Sequence, residues 1–146
     1  MRFSQVVFNR GLGSDHNFIR YEVEGRQFFS LSPSQPGRDI LALQALGIFN
    51  SGSPPFRMLA LLGDKDDFRG YVRGRFRDRQ YYSTQVEYRR DLFWRIGATV
   101  FGGMGNVAPG LGDFQLETTK VFLGLGGRFK LDRRNNINLR GDIAVN

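Results

Sequence analysis

The sequence predicts an all-β fold of antiparallel strands, and three observations support this prediction. The chain of 146 residues contains 14 Phe, 5 Tyr and 19 Gly, a composition typical of β-structure with many turns. Apolar and polar residues alternate along several segments, which places successive side chains on opposite faces. Stretches rich in Gly, Pro and Asp separate these segments. Together these features favour a partial antiparallel transmembrane β-barrel of about seven long strands with a long loop that docks in the lumen.

The clearest alternating segment runs from Phe18 to Leu31. One face is apolar and is expected to carry Ile19, Tyr21, Val23, Gly25, Phe29 and Leu31. The other face carries the charges of Arg20, Glu22, Glu24 and Arg26. At about 14 residues the segment is longer than the roughly 5–6 residues of most globular strands. Its length and its dense mixed charge favour a membrane barrel with a water-filled lumen over a soluble sandwich or a lipocalin-like barrel.

Further strands are predicted over residues 3–8, 38–50, 82–89, 94–101, 120–131 and 137–145. Their apolar faces carry aromatic residues near the strand ends, as the interfacial girdles of membrane barrels do: Phe29, Tyr82, Tyr88, Trp94 and Phe129. We therefore expect the following residues on the lipid side of one sheet: Ile19, Tyr21, Val23, Tyr88, Ile96, Val100, Leu123, Leu125, Leu139 and Ile143.

Composition excludes several classes of function. The chain has no Cys and a single histidine, His16, so thiolate chemistry, His-based metal sites and a Ser-His-Asp triad have little to build on. Asp66 and Asp67 are interpreted as solvated charges, and Gly124–Gly127 as strand and not as a phosphate-binding loop. We predict a non-enzymatic protein without cofactor or metal.

Hydropathy and the N-terminus bear on the compartment. The mean hydropathy of -0.36 and the lack of a long apolar run argue against a transmembrane helix, but not against a transmembrane barrel. The first fifteen residues do not resemble a secretory signal, since their apolar stretch is short and interrupted by Gln5. The chain is therefore expected either to stay inside the cell or to be a piece of a longer protein.

A connection of about thirty residues precedes the strand that begins near Tyr81, and loops of this length are usually functional or disordered. It ends in a basic segment in which arginines alternate with aromatic residues: Arg69, Arg73, Arg75, Arg77 and Arg79 with Phe68, Tyr71 and Phe76. With the net charge of +7, this segment is compatible with binding of RNA or another polyanion by a soluble β-domain. A solvated basic loop is the simpler interpretation.

Residues 68–107 resemble the BamA/TamA-type bacterial surface-antigen family of outer-membrane assembly and secretion barrels. The family's hydrophobic-Arg-Gly-aromatic loop motif matches Phe68-Arg69-Gly70-Tyr71, a following Gly-Arg-aromatic-Arg-Asp stretch matches Gly74–Asp78, and the next strand matches Gln85–Arg89. The resemblance implies a cell outer-membrane location and a chain, 1–146, holding approximately strands nine to fifteen of a sixteen-stranded barrel. On this resemblance, the last strand and the N-terminal POTRA repeats are expected to be absent from the chain.

The resemblance further implies that the parent barrel assists insertion, assembly or secretion of other proteins. The expected partners are the lipid bilayer, client outer-membrane or secreted proteins, and the remainder of its own barrel; nucleic acid is not expected. Because about seven strands leave two sheet edges uncovered, the isolated chain should need detergent.

Within the motif, Arg69 is expected to reach a carboxylate, because a buried guanidinium needs an anion. Glu87 is the first candidate and Asp142 the second, with Gln85 on the same polar face. Gly70 would allow a close backbone approach, and Phe68 and Tyr71 would anchor the turn by packing. The expected solvated positions of this loop are Arg75 and Arg79.

Overall fold

The computed structural model describes residues 1–35, 37–63, 68–132 and 137–146. These residues form nine strands: β1 (Arg2–Phe8), β2 (Phe18–Ser30), β3 (Asp39–Gly52), β4 (Ala60–Leu62), β5 (Phe76–Asp78), β6 (Gln80–Phe93), β7 (Ile96–Ala108), β8 (Lys120–Asp132) and β9 (Ile137–Val145). Two single 3-10 turns, Arg10–Leu12 and Phe56–Met58, lie in connections. The described residues form no helix that is long and apolar enough to cross a bilayer.

Seven strands build one antiparallel sheet in the order β1-β2-β3-β6-β7-β8-β9, and β4 pairs with β5 in a separate small sheet. The all-β, antiparallel prediction is therefore confirmed. Each long strand pairs with the next long strand along the chain. This includes β3 and β6, which the connection containing β4 and β5 separates in sequence. The sheet is not closed, so β1 and β9 are its edges.

The two faces of the sheet follow the alternation of the sequence. We define the inner face as the side on which residues 53–63 and 68–79 pack, and the outer face as the opposite side. Directly paired residues share a face, as in the outer row Tyr88, Val100, Leu125 and Ile143. None of the ten residues predicted for the apolar face is buried, and Leu125 and Ile143 are 64% and 78% exposed. The structure thus leaves most of this apolar face uncovered; at one end Phe114, from residues 109–119, packs on Tyr82 of the same face.

The inner face is divided into an apolar part and a charged part. The apolar part forms the core of the molecule with three residues of the connection, and the cluster comprises Leu46, Ile48, Ala60, Leu62, Phe68, Tyr81, Phe101 and Phe122. The charged part lies beside it and contains Glu87, Arg89, Arg128 and Asp142. The expectation of a polar inner face is therefore correct for only part of the sheet, because the connection needs an apolar surface on which to pack.

The bounds predicted from the sequence for two of the strands are wrong. Strands β6 and β7 are longer than the predicted 82–89 and 94–101, and they meet at a two-residue turn, Trp94-Arg95. Trp94 is therefore in a turn and not in a strand, with a φ of 51°. Its ring packs edge-on against Phe129 of β8, at 5.9 Å between centroids, so Trp94 still lies beside the outer-face aromatic residue.

Candidate functional site

Residues 53–63 and 68–79 of the connection fold back over the inner face, where β4 and β5 form an antiparallel pair that was not predicted from the sequence. At its end, the main-chain carbonyl of Arg79 accepts hydrogen bonds from the main-chain N–H and the side-chain amide of Asn50, at 3.2 and 2.7 Å. Ala60, Leu62 and Phe68 of the connection are fully buried against the sheet. The loop is thus a packed element of the core.

Arg69 joins this loop to two strands that are distant in the chain. Its Nη2 donates to Glu87 Oε2 on β6, and its Nη1 donates to Asp142 Oδ2 on β9 at 3.2 Å. The side chains of Arg69, Glu87 and Asp142 are 8%, 2% and 14% exposed. The structure therefore brings together the motif arginine and both carboxylates that the sequence suggested as its partners.

Three more arginines extend the ion pairs into a network. Glu87 Oε1 also accepts from Arg89 Nε at 2.5 Å and from Arg128 Nη2 at 2.7 Å. Asp142 Oδ2 lies 3.0 Å from Arg140 Nε. Four guanidinium groups thus share two carboxylates, and the network carries an excess of positive charge. We term the six residues of this network, Arg69, Glu87, Arg89, Arg128, Arg140 and Asp142, the arginine network.

The geometry of the site uses the planar shape of the Arg69 side chain. Its guanidinium carbon lies 4.2 Å from the centroid of the Phe101 ring, while its two terminal nitrogens reach different carboxylates. A planar fork can stack on a ring and bridge two anions at once, whereas an ammonium group is a single point of charge. The motif position therefore favours Arg over Lys.

Gly70 allows the chain to turn directly after Arg69. Its φ is +87°, a left-handed conformation that residues with a Cβ rarely adopt, and an added Cβ would lie 3.1 Å from that of Ala144. Its carbonyl accepts a hydrogen bond from Asn146 Nδ2 at 2.7 Å. The residue thus holds the loop close to β9.

Phe68 and Tyr71 anchor the turn on both sides of Arg69. Phe68 packs edge-on against Phe122 of β8, at 4.7 Å between centroids, and it lies over Gly105, where a Cβ would come within 2.8 Å of its ring. Tyr71 packs against Phe68 and donates its hydroxyl to the Val121 carbonyl at 3.0 Å. The four motif residues therefore form one connected contact surface on β6, β7, β8 and β9.

Gln85 lies on the same inner face but does not contact Arg69 through a hydrogen bond in the described part of the chain. It is 6% exposed, and its Oε1 is buried without a hydrogen-bond partner there. Phe101, Arg128 and Arg140 were not named as site residues from the sequence. Alternation indicated that all three share the inner face, but one sequence does not give the register that brings them to Arg69.

The basic segment that follows the motif is not a single exposed surface. Arg73, Arg75 and Arg79 are exposed, but Arg69 is buried. Arg77 donates to the Gly74 carbonyl and lies 4.5 Å from the centroid of the Phe56 ring. Phe68 is fully buried and cannot stack on a base, whereas Tyr71 and Phe76 are half-buried.

The chemistry offered by this site is electrostatic and steric. Among the residues that the structure describes, no three His, Asp or Glu side chains are grouped to hold a metal ion. Asp66 and Asp67 lie outside the described residues, and Gly124–Gly127 lies within β8. No protein-family model and no curated protein matches the chain.

Proposed function

We propose that this chain forms part of the wall of an outer-membrane β-barrel that assists the insertion, assembly or secretion of other proteins, without enzymatic activity. The observation that carries the proposal is the docking of the loop motif: Arg69 bridges Glu87 and Asp142 on the inner face. This motif lies within residues 68–107, the segment that resembles the BamA/TamA-type family.

The dimensions of the sheet support a position across a bilayer. Five of its strands have 13 or 14 residues. With a rise of about 3.3 Å per residue and a tilt of about 40°, such a strand spans about 33 Å. The apolar band of outer-membrane barrels is about 25 Å tall, so these strands are long enough to cross it.

The connections differ in length between the two ends of the sheet. Residues 31–38 and 94–95 connect strands at one end, and residues 9–17, 53–79 and 109–119 connect them at the other. Bacterial membrane barrels have short turns on the periplasmic side and longer loops on the extracellular side. We therefore place the loop motif on the extracellular half of the lumen.

The open sheet also fits a role as one part of a larger barrel. Strands β1 and β9 have only one neighbour each, so each leaves main-chain N–H and C=O groups unpaired along one side. In a bilayer these groups need partners, which the rest of the barrel would supply. The docked loop would then occupy the lumen and fix the position of β9 relative to β6.

Membrane insertion can be tested with the chain itself. We expect the chain refolded with phosphatidylethanolamine–phosphatidylglycerol liposomes to float with them, to resist extraction at high pH and to keep its strand signal in circular dichroism. In buffer without detergent or lipid it should aggregate, because a wide apolar face is uncovered. A monodisperse monomer in plain buffer would contradict the proposal. So would salt-sensitive RNA binding by that monomer, which would favour the soluble alternative.

A further inference from the structure

A cavity of about 220 Å³ lies on the inner face beside the arginine network. Polar and charged residues from β2, β6, β9 and the docked loop line most of it: Arg26, Arg69, Gln85, Glu87, Arg89 and Arg140. Phe28, Ala42, Leu43 and Gln44 complete the wall. The proposed function assigns no ligand to this space.

The lining carries more positive than negative charge. Four of its residues are arginines and one, Glu87, is acidic; Arg26 also pairs with Glu24, and Arg140 pairs with Asp142. The two oxygens of Glu87 are already used by Arg69, Arg89 and Arg128. Close, partly buried like charges repel one another more strongly than they would in water. The cavity therefore favours an additional negative charge.

Several hydrogen-bond donors of the lining are unused. Arg69 Nε is buried, and within the described part of the chain it has no partner. Arg89 contacts Glu87 through Nε, and no hydrogen bond among the described residues uses its two terminal nitrogens. Gln85 is 6% exposed; its Oε1, an acceptor, is buried without a partner, and its donor Nε2 makes no hydrogen bond within the same residues. Buried polar groups of this kind normally have partners.

We propose that this cavity binds a small, doubly charged oxyanion of the phosphate or sulfate type. Guanidinium forks match the oxygens of such an anion, and the amide of Gln85 adds an uncharged donor. Since liquid water occupies about 30 Å³ per molecule, a cavity of about 220 Å³ holds a tetrahedral oxyanion with a few waters. The lining has too little acidic character for a cation.

The bound anion strengthens the docking of the loop. Arg69 keeps both terminal nitrogens on Glu87 and Asp142, so binding of the anion leaves its two ion pairs intact. The anion also reduces the repulsion between Arg69, Arg89 and Arg140. This inference rests on the docked geometry and is independent of what the parent barrel inserts or exports.

The test is a titration of the full 146-residue chain, refolded in non-ionic detergent, with inorganic phosphate. The readouts are the dissociation constant from calorimetry and the midpoint of thermal loss of strand circular dichroism. We expect a dissociation constant on the order of millimolar and a rise in the midpoint. Chloride at equal ionic strength should produce neither. Equal effects of chloride and phosphate would overturn the proposal, because they would indicate screening alone.

Three variants separate the cavity from general charge. Arg89→Gln and Gln85→Leu should each weaken phosphate binding at least about tenfold, which corresponds to about 1.4 kcal/mol. Arg75→Gln removes one exposed charge outside the cavity and should change the dissociation constant less than about twofold. An equal loss in Arg75→Gln and Arg89→Gln would overturn the proposal. Gln85→Leu changes no charge, so it still tests the site if Arg89→Gln disturbs folding.

A second arm identifies the source of the anion. Micelles doped with phosphatidic acid, without free phosphate, present a phosphate monoester, which can carry the same double charge, on a lipid. A midpoint rise with free phosphate alone supports a soluble anion, and a rise with the lipid as well supports a headgroup. No rise with either would overturn the site. Liposome flotation and loop docking would be unaffected by that result, so failure of this inference is distinguishable from failure of the proposed function.

Discussion

Arg69 and Glu87 form a buried ion pair that joins the loop to the wall of the sheet, although they lie on different elements and eighteen residues apart in the chain. Glu87 sits in a row with Ala42 and Phe101 on the neighbouring strands, and Phe101 stacks beneath the Arg69 guanidinium. The pair therefore fixes both the position and the orientation of the loop.

Removal of the Arg69 side chain should release the loop. Arg69→Ala leaves Glu87 and Asp142 without their shared cation, and the loss of one partner of a buried pair costs about 3–5 kcal/mol. Arg69→Lys should recover only part of this, because an ammonium cannot bridge both carboxylates and stack. Unfolding by urea in detergent micelles measures the difference. Arg75→Ala and Arg79→Ala, at exposed positions, should each cost less than about 1 kcal/mol.

The same four variants should rank identically in a parent barrel. We expect Arg69→Ala and Arg69→Lys to reduce assembly or secretion of client proteins more than Arg75→Ala or Arg79→Ala. The amount of client protein folded in the outer membrane, normalised to the amount of barrel, provides the readout. Equal effects of all four substitutions would contradict the docking account.

The two carboxylates should differ in importance. Glu87 contacts three arginines and is 2% exposed, whereas Asp142 contacts two and is 14% exposed. Glu87→Gln should therefore destabilise the fold by about 3 kcal/mol and Asp142→Asn by about 1.5 kcal/mol. A double-mutant cycle between Arg69→Ala and each carboxylate variant measures the couplings. A larger coupling of Arg69 to Asp142 than to Glu87 would contradict the greater importance of Glu87.

Gly70 should not tolerate a side chain. Gly70→Ala combines a φ of +87° with a Cβ contact of 3.1 Å to Ala144, at a cost of about 1–2 kcal/mol in backbone strain before the contact is counted. Adding Ala144→Gly to the Gly70→Ala variant should recover only the part of the stability that is lost through the contact with Ala144. Gly127→Ala on the outer face of β8 is the matched control, since an added Cβ there meets nothing within 4 Å. Urea unfolding that shows equal costs at both glycines would argue against the turn geometry.

Phe68 should contribute most of the apolar anchoring of the motif. It is fully buried against Phe122 and Gly105, so Phe68→Ala should cost about 3–5 kcal/mol. The half-buried Phe76 of β5 provides a control with the same chemical change and a smaller expected loss. Faster tryptic cleavage after Arg73 and Arg75 in the Phe68 variant would report release of the loop. Unchanged cleavage would place the anchor elsewhere.

Much of the sheet could be predicted from the sequence because the alternation has a period of two, and the parity of a residue determines its face. The outer positions of β2, β7, β8 and β9 were correct for this reason. The turn Trp94-Arg95 was missed because it lacks the Gly or Asn that usually marks a two-residue hairpin. With two residues between the strands, the alternation continues through the turn.

The site was predictable in part. Because a guanidinium confined inside the barrel needs an anion, Arg69 was expected to contact a carboxylate. The alternation along the strands limited the candidates to inner-face residues such as Glu87 and Asp142. The contributions of Phe101, Arg128 and Arg140 depend on the register of β7, β8 and β9, which local sequence does not determine. The β4–β5 hairpin has only three residues in each strand, too few for an alternating pattern to be detected.

The most direct test of the central claim measures which face of the sheet contacts lipid. The chain has no cysteine, so single Cys substitutions at Val100, Leu125 and Ile143 on the outer face and at Arg26 on the inner face can each carry one spin label. In liposomes we predict that the three outer labels are accessible to oxygen and shielded from a water-soluble nickel chelate, with the opposite result at Arg26. Outer labels that are open to the nickel chelate, or shielded from both reagents, would contradict the membrane-barrel account.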